Sequence, residues 1–261
     1  MTRITIAAAL AATMLGGTAG ADPDLGDVVA ITPHVGEMSI PLGERTGADI
    51  HEVPNAFRFE PLQSFEDMFT RDDVVFLMRH GPTDWSVRDK TDVAPTDCEH
   101  QRVLSPQGYE DMFDYGELLA YNDITFGTII VSEWCRNQQT YDALRDGYDT
   151  VRPGVWETFP KGTLSSANLL LALQGAETVT ELRRIVSDWD GVEGDGPLLI
   201  ISHFTNIQEL TRFNTYEDEA LILDPKRDNR VLGYLRLRTA GPDVGHFDIE
   251  AQETATGAEG D

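Results

Sequence analysis

Three short apolar runs stand out in this chain. They are residues 74–78 (Val-Val-Phe-Leu-Met), 128–131 (Thr-Ile-Ile-Val) and 197–201 (Pro-Leu-Leu-Ile-Ile). Runs of this length without polar alternation predict strands buried on both faces. Between and after them, apolar residues recur at helical spacing over 105–121, 136–145, 179–189 and 204–213. The first of these helices opens on Ser105-Pro106, a capping hydroxyl followed by a first-turn proline. Strands alternating with helices predict an α/β fold with a largely parallel sheet, which further strands at 220–223 and 231–238 extend.

The ends of the chain lack this rhythm. Residues 1–21 carry one cation, Arg3, then an apolar stretch and the small residues Ala19-Gly20-Ala21 before Asp22. That is the pattern of a secretory signal peptide, and its apolar part is too short to span a bilayer. Residues 22–72 read as an irregular Gly-, Pro- and acid-rich arm packed over the domain, with one short amphipathic helix at 64–69. Residues 73–240 form one domain, and residues 241–261 read as a flexible acidic tail. After leader removal no membrane span is expected, and the expected location is periplasmic or secreted. There is no internal repeat, no GxxxxGK loop and no GxGxxG motif.

Charge narrows the function. Lys plus Arg number 20 against 45 Asp plus Glu, a formal net charge of -25, which argues against nucleic acid or an anionic membrane surface as partner. An enzyme acting on anions in such a chain must gather its cations at the substrate. The cysteines are Cys98 and Cys135. An even count in an exported protein invites a disulfide, while two reduced buried thiols are the alternative.

The chemistry appears at the carboxyl ends of the three runs. The first stops at Arg79-His80-Gly81, the second passes Ser132-Glu133-Trp134-Cys135 to reach Arg136, and the third ends in Ser202-His203. In open α/β sheets ligands bind outside the carboxyl ends of the strands, so these side chains are expected to converge on one ligand. Helix N-termini aimed at the same place favour an anion. Imidazole is a competent nucleophile toward phosphorus, and arginine's planar fork holds two phosphoryl oxygens at once. Two arginines and a second imidazole can supply the charge stabilisation that magnesium supplies elsewhere, so no metal and no cofactor are expected. The expected ligand is a small phosphorylated substrate or inorganic phosphate.

Arg79-His80-Gly81 after a buried strand resembles the defining motif of the histidine phosphatase, or phosphoglycerate mutase-like, superfamily. The resemblance extends through Asp97-Cys98, Gln101-Arg102-Val103-Leu104-Ser105, Trp134-Cys135-Arg136 with Thr140, and His203-Phe204-Thr205-Asn206-Ile207. These segments are similar to an exported bacterial branch with paired DC and WCR motifs. The resemblance implies a three-layer αβα sandwich. It also implies a phosphohistidine intermediate on His80, with Arg79, Arg136 and His203 completing the phosphate pocket. A phosphomonoesterase is the expected activity, with sugar phosphates as a substrate class suggested by related exported phosphatases. A phosphomutase and a phospho-ligand-binding protein without turnover are the alternatives.

The proton donor to the leaving group is the open position. Some superfamily members place Asp directly after the second histidine, where this chain has Phe204. Glu157, flanked by Trp156 and Phe159 as an apolar wall, is the candidate acid, with Glu133 and Asp84 as alternatives. Gly81, Asp84, Arg102 and Glu133 are candidate substrate contacts. Trp85 is read as a packing residue.

Overall fold

The computed structural model describes residues 36–38, 57–59, 71–170, 172–191 and 196–241. The leader, the helix expected at 64–69 and the tail beyond 241 lie outside the described residues. Elements in chain order are β1 (Gly36–Met38), β2 (Phe57–Phe59), β3 (Val75–Arg79), α1 (Pro106–Tyr121), β4 (Thr128–Val131) and α2 (Cys135–Val151). Next come β5 (Lys161–Thr163), α3 (Thr180–Ser187), β6 (Leu198–Ser202), α4 (Phe204–Thr211), β7 (Ala220–Asp224) and β8 (Arg230–Leu237).

The strands form one eight-stranded sheet in the order β1-β2-β8-β7-β3-β6-β4-β5. From β3 through β6 and β4 to β5 all pairings are parallel, and β7, β8, β2 and β1 add an antiparallel flank. Register brings the strand ends together. Arg79 lies opposite Ser202, and Val131 lies beside Ile201, so the carboxyl ends of β3, β6 and β4 finish level at one edge. The chain then turns from β4 into α2 and from β6 into α4, so each helix begins at that edge.

Helices cover both faces of the sheet, as the unbroken apolar runs require. Phe76, Met78, Ile129, Val131, Leu199 and Ile201 face α1 and α2. Their alternates Val75, Leu77, Ile130, Leu198 and Ile200 face α3 and α4. The α/β expectation therefore holds as three layers. Among the described residues no helix is long and apolar enough to cross a membrane.

Several boundaries differ from expectation. Helix α2 runs on to Val151, six residues past the end expected at 145, through Gly147. Gly147 is there because α1 is close: a β-carbon on it would lie 1.9 Å from the carbonyl oxygen of Phe113. Strand β5 is Lys-Gly-Thr at the sheet edge, with no apolar run to announce it. The stretch read as an irregular arm supplies β1 and β2, which pair through β8. Helix α4 stops at Thr211 because Arg212 adopts left-handed geometry, φ 64°.

Candidate active site

Arg79 is the last residue of β3, and its backbone N–H bonds the Glu219 carbonyl; His80 comes next, with its N–H on the Ser202 carbonyl. These bonds fix where the two side chains leave the sheet edge. Gly81 N–H donates to Thr140 Oγ1 at 2.9 Å, tying the turn to α2. A β-carbon on Gly81 would sit 2.4 Å from Met112 Cγ, so only glycine lets α1 pack this closely.

His80 and His203 lie edge to face, with ring centroids 5.5 Å apart. Both are buried. Burial holds the His80 imidazole well below its usual range, with the positive charges of Arg136 and Arg79 adding to the effect. Its Nδ1 lies 3.0 Å from the Gly81 carbonyl oxygen. A carbonyl only accepts, so Nδ1 carries the proton and Nε2 is left with the lone pair.

The tautomer of His203 is set by a longer chain of contacts. Asn168 Nδ2 donates to the Glu133 carboxylate at 2.7 Å, while Asn168 Oδ1 accepts from the Glu133 N–H at 2.9 Å. The amide orientation is thereby set. Ser132 Oγ lies 3.0 Å from Asn168 Oδ1 and 3.0 Å from His203 Nε2. The hydroxyl has one proton and gives it to Asn168, so His203 Nε2–H donates to Ser132. His203 Nδ1 is buried with no hydrogen-bond partner among the described residues. Burial first, then Arg136, Arg79 and Arg102, keep this imidazole neutral, well below the ordinary histidine range. To donate from Nδ1 to a phosphoryl oxygen, His203 must take up a second proton with the ligand.

Three arginines meet here. Arg136, in the first turn of α2, is 1% exposed and bonds both oxygens of Asp89, at 3.1 and 3.2 Å, and the Arg102 carbonyl. Its guanidinium lies 4.9 Å from the Trp134 ring. Arg79 bonds the Thr215 carbonyl at 2.8 Å and lies 3.5 Å from Glu217. Phe204, the residue after His203, lies under the Arg79 guanidinium at 5.2 Å. Arg102 stacks on Trp85 at 3.5 Å, and burial beside Arg136 pushes it down to about 10. Buried cations need partners, and the sequence reading missed them. Glu217 accepts from Thr83 N–H, Thr83 Oγ1 and Trp85 Nε1 besides facing Arg79. Asp89 and Glu217 are two among 45 acidic residues, and only the need to balance buried arginine distinguishes them. Asn168 and Ser132 are small polar residues just outside periodic segments, which periodicity cannot flag.

Of the expected site residues, Arg79, His80, Gly81, Arg102, Arg136 and His203 come together, and Glu133 stands behind His203 through Asn168 and Ser132. Asp84 does not join them. It is exposed and accepts from Ser86 N–H and Oγ, closing its own turn, and those bonds draw its carboxyl below the usual range. Glu157 is also elsewhere. Trp156 and Phe159 turn inward against Phe126 and Tyr148, which leaves the glutamate between them exposed. The groups that feel its charge are Tyr141, Arg145 and Lys161, outside the pocket. The expected apolar wall exists, but it faces the core rather than the carboxyl. His100 is held by Asp97 at 2.8 Å.

Cys98 and Cys135 form a disulfide, with Cα atoms 5.5 Å apart. It joins the loop that carries Asp89 and Arg102 to the start of α2. Gln101 repeats the tie, accepting from Cys135 N–H and donating to the Ala94 and Pro95 carbonyls.

No family model matches the chain, and no curated protein matches it. Solved structures resemble it at low identity. A protein of Agrobacterium tumefaciens assigned to the SixA phosphohistidine phosphatases shares 15% identity over 66% of this chain and all of its own length, with a TM-score of 0.41. The protein histidine phosphatase SixA complexed with tungstate shares 18% identity over 64% of this chain and 95% of its own, TM-score 0.41. A phosphoglycerate mutase of Plasmodium falciparum shares 14% over 66% and 94%, TM-score 0.37. These are likenesses of low identity and partial superposition, and the chemistry of the pocket rests on its own side chains.

Proposed function

We propose that this chain is a phosphomonoesterase that works through a phosphohistidine on His80. The observation that carries the reading is the His80 environment: Nδ1 committed to the Gly81 carbonyl, Nε2 bearing a lone pair, and Arg79, Arg136 and His203 gathered around it. Nε2 attacks phosphorus, the ester oxygen departs, and the arginines stabilise charge on the transferred phosphoryl group. Water then hydrolyses the phosphohistidine, releasing phosphate. Since cationic side chains carry the phosphoryl charge in this mechanism, turnover requires no metal.

The protein acts outside the cytoplasm on this reading. The leader-like residues 1–21 and the Cys98–Cys135 disulfide support that placement, since disulfides persist in oxidising compartments. Failure of residues 1–21 to export a fused reporter would count against it.

Turnover of p-nitrophenyl phosphate in excess EDTA is the test. The wild-type protein is expected to release phosphate, with His80→Ala and Arg136→Ala each reducing kcat/KM by about 10³-fold or more. Loss of activity in EDTA would contradict the metal-independent mechanism. Undiminished activity in His80→Ala would end the nucleophile assignment.

A further inference from the structure

A cleft of about 580 Å³ lies against the phosphoryl pocket, within the size range of small-molecule sites. Val93, Trp134, Leu169, Leu170, Ala172 and Leu173 form its apolar wall, and Asp89, Lys90, Thr91 and Thr205 form a polar side. Three of these residues join it to the pocket. Both carboxylate oxygens of Asp89 bond Arg136 Nη1, and Asp89 Oδ1 also accepts from the Arg102 N–H at 2.7 Å, which keeps the carboxyl in place when Arg136 is engaged elsewhere. Trp134 packs under the Arg136 guanidinium and edge to face on His203, at 5.9 Å. Thr205 lies two residues beyond His203, at the start of α4. Asp89 thus stands at the junction, between the group that would hold phosphoryl oxygens and the space beyond.

The lining speaks for the ligand. Six of the ten lining residues are aliphatic or indole, and the polar four include Asp89, which is already engaged by Arg136, so the larger part of the wall suits an apolar group. Leu173 is 73% exposed at the cleft, a large apolar side chain in water beside an apolar hollow. We infer that the cleft holds the alcohol half of the substrate, an apolar aryl or alkyl alcohol, and that Asp89 delivers the proton to its leaving oxygen. The inference rests on the phosphomonoesterase reading, and it replaces sugar phosphates with apolar esters as the substrate class.

The step balances. As phosphoryl oxygens take the place of Asp89 on Arg136, Asp89 takes the proton of a monoanionic ester. His80 Nε2 bonds to phosphorus, the bond from phosphorus to the ester oxygen breaks, and its electron pair stays on that oxygen, which accepts the proton from Asp89. The alcohol leaves neutral and Asp89 is a carboxylate. In the second half water attacks phosphorus and gives a proton to Asp89, the bond from phosphorus to His80 Nε2 breaks with its electron pair returning to Nε2, and the proton passes from Asp89 to the departing phosphate, which restores neutral His80 and the Asp89 carboxylate.

Hexyl, ethyl and p-nitrophenyl phosphate separate the parts of this proposal. Hexyl and ethyl esters have leaving groups of similar acidity and differ in apolar reach. The protein is expected to prefer hexyl over ethyl phosphate by at least about tenfold in kcat/KM, and Leu173→Asp to lower that ratio at least about fivefold. Asp89→Asn is expected to slow both alkyl esters by about 10²-fold or more and p-nitrophenyl phosphate, whose leaving group needs no proton, by less than about tenfold. A hexyl-to-ethyl ratio near one, with p-nitrophenyl phosphate still turned over, overturns the cleft assignment alone. Equal slowing of all three esters by Asp89→Asn makes Asp89 a holder of Arg136 and overturns its role as acid. No turnover of p-nitrophenyl phosphate by the wild-type protein removes the underlying reading, and this proposal with it.

Discussion

His80 and His203 are both kept neutral by burial and by the same arginines, yet their hydrogen bonds assign them opposite tasks. His80 has its proton on the inner nitrogen and a lone pair to give. His203 carries its proton on Nε2, donated to Ser132 Oγ, and has an open Nδ1 that can donate only after a further proton arrives. Two predictions belong at this scale. Because burial and Arg136 hold His80 well below the ordinary imidazole range, the acid limb of kcat/KM should fall well below pH 6.5, the unperturbed value. A limb at 6.5 or above, in a pH profile with p-nitrophenyl phosphate, would show His80 to be solvated. The second concerns Asn168, which reaches His203 only through Ser132. In Asn168→Ala the Ser132 hydroxyl is free to donate to His203 Nε2, shifting the tautomer. A loss of about tenfold in kcat/KM is expected, together with a changed ¹⁵N shift pattern for His203. An unchanged pattern would mean that the tautomer is set elsewhere.

At the scale of elements, the sequence announced what is apolar and continuous. The strands β3, β4 and β6 were readable because they are buried on both faces, and the residues that end them were readable as a site because parallel strands finish at one edge. Helix α2 extends beyond its expected end, and Gly147 within the extension admits the Phe113 carbonyl of α1. Glu157 was misplaced for a related reason: the aromatic residues beside it announce burial without saying on which side of the chain the carboxyl lies. Glu217 and Asn168 sit in irregular segments, and nothing local distinguishes them from solvated surface residues. Gly147→Ala is expected to destabilise the protein by about 1–3 kcal/mol in denaturant unfolding, by forcing α1 and α2 apart. A neutral effect would mean that the two helices are not held at the distance described. Reduction of the Cys98–Cys135 bridge, which closes a separation of 37 residues, is expected to cost roughly 3 to 4 kcal/mol in the chain-entropy model.

Across the whole molecule, the net charge of -25 surrounds a pocket whose charge is locally positive, and the cost appears as carboxylates crowded behind that pocket. Asp218 is the extreme case. It is 1% exposed, neither oxygen has a hydrogen-bond partner among the described residues, and its φ is 66°. Burial, with Asp111, Glu219 and Glu217 nearby, holds its carboxyl well above the usual range. The sign is that of an acid stabilised in its protonated form. Its contribution is complete below the unfolded value near pH 3.9 and is lost as pH rises through the raised folded value. Asn needs no proton loss and tolerates positive φ. Asp218→Asn is therefore expected to stabilise the fold by about 1–3 kcal/mol at pH 8, and by less at pH 5. Denaturant unfolding at the two pH values checks it, and a destabilised variant at pH 8 would show that the carboxylate is paired.

The central claim is that His80 Nε2 becomes covalently phosphorylated. Rapid acid-free quenching of the protein with excess phosphate ester, then peptide mass spectrometry, locates the group directly. The predicted result is an acid-labile, alkali-stable phosphoryl adduct on the peptide containing His80, absent from His80→Ala. Turnover with no such adduct, or with the adduct on another residue, would contradict the mechanism.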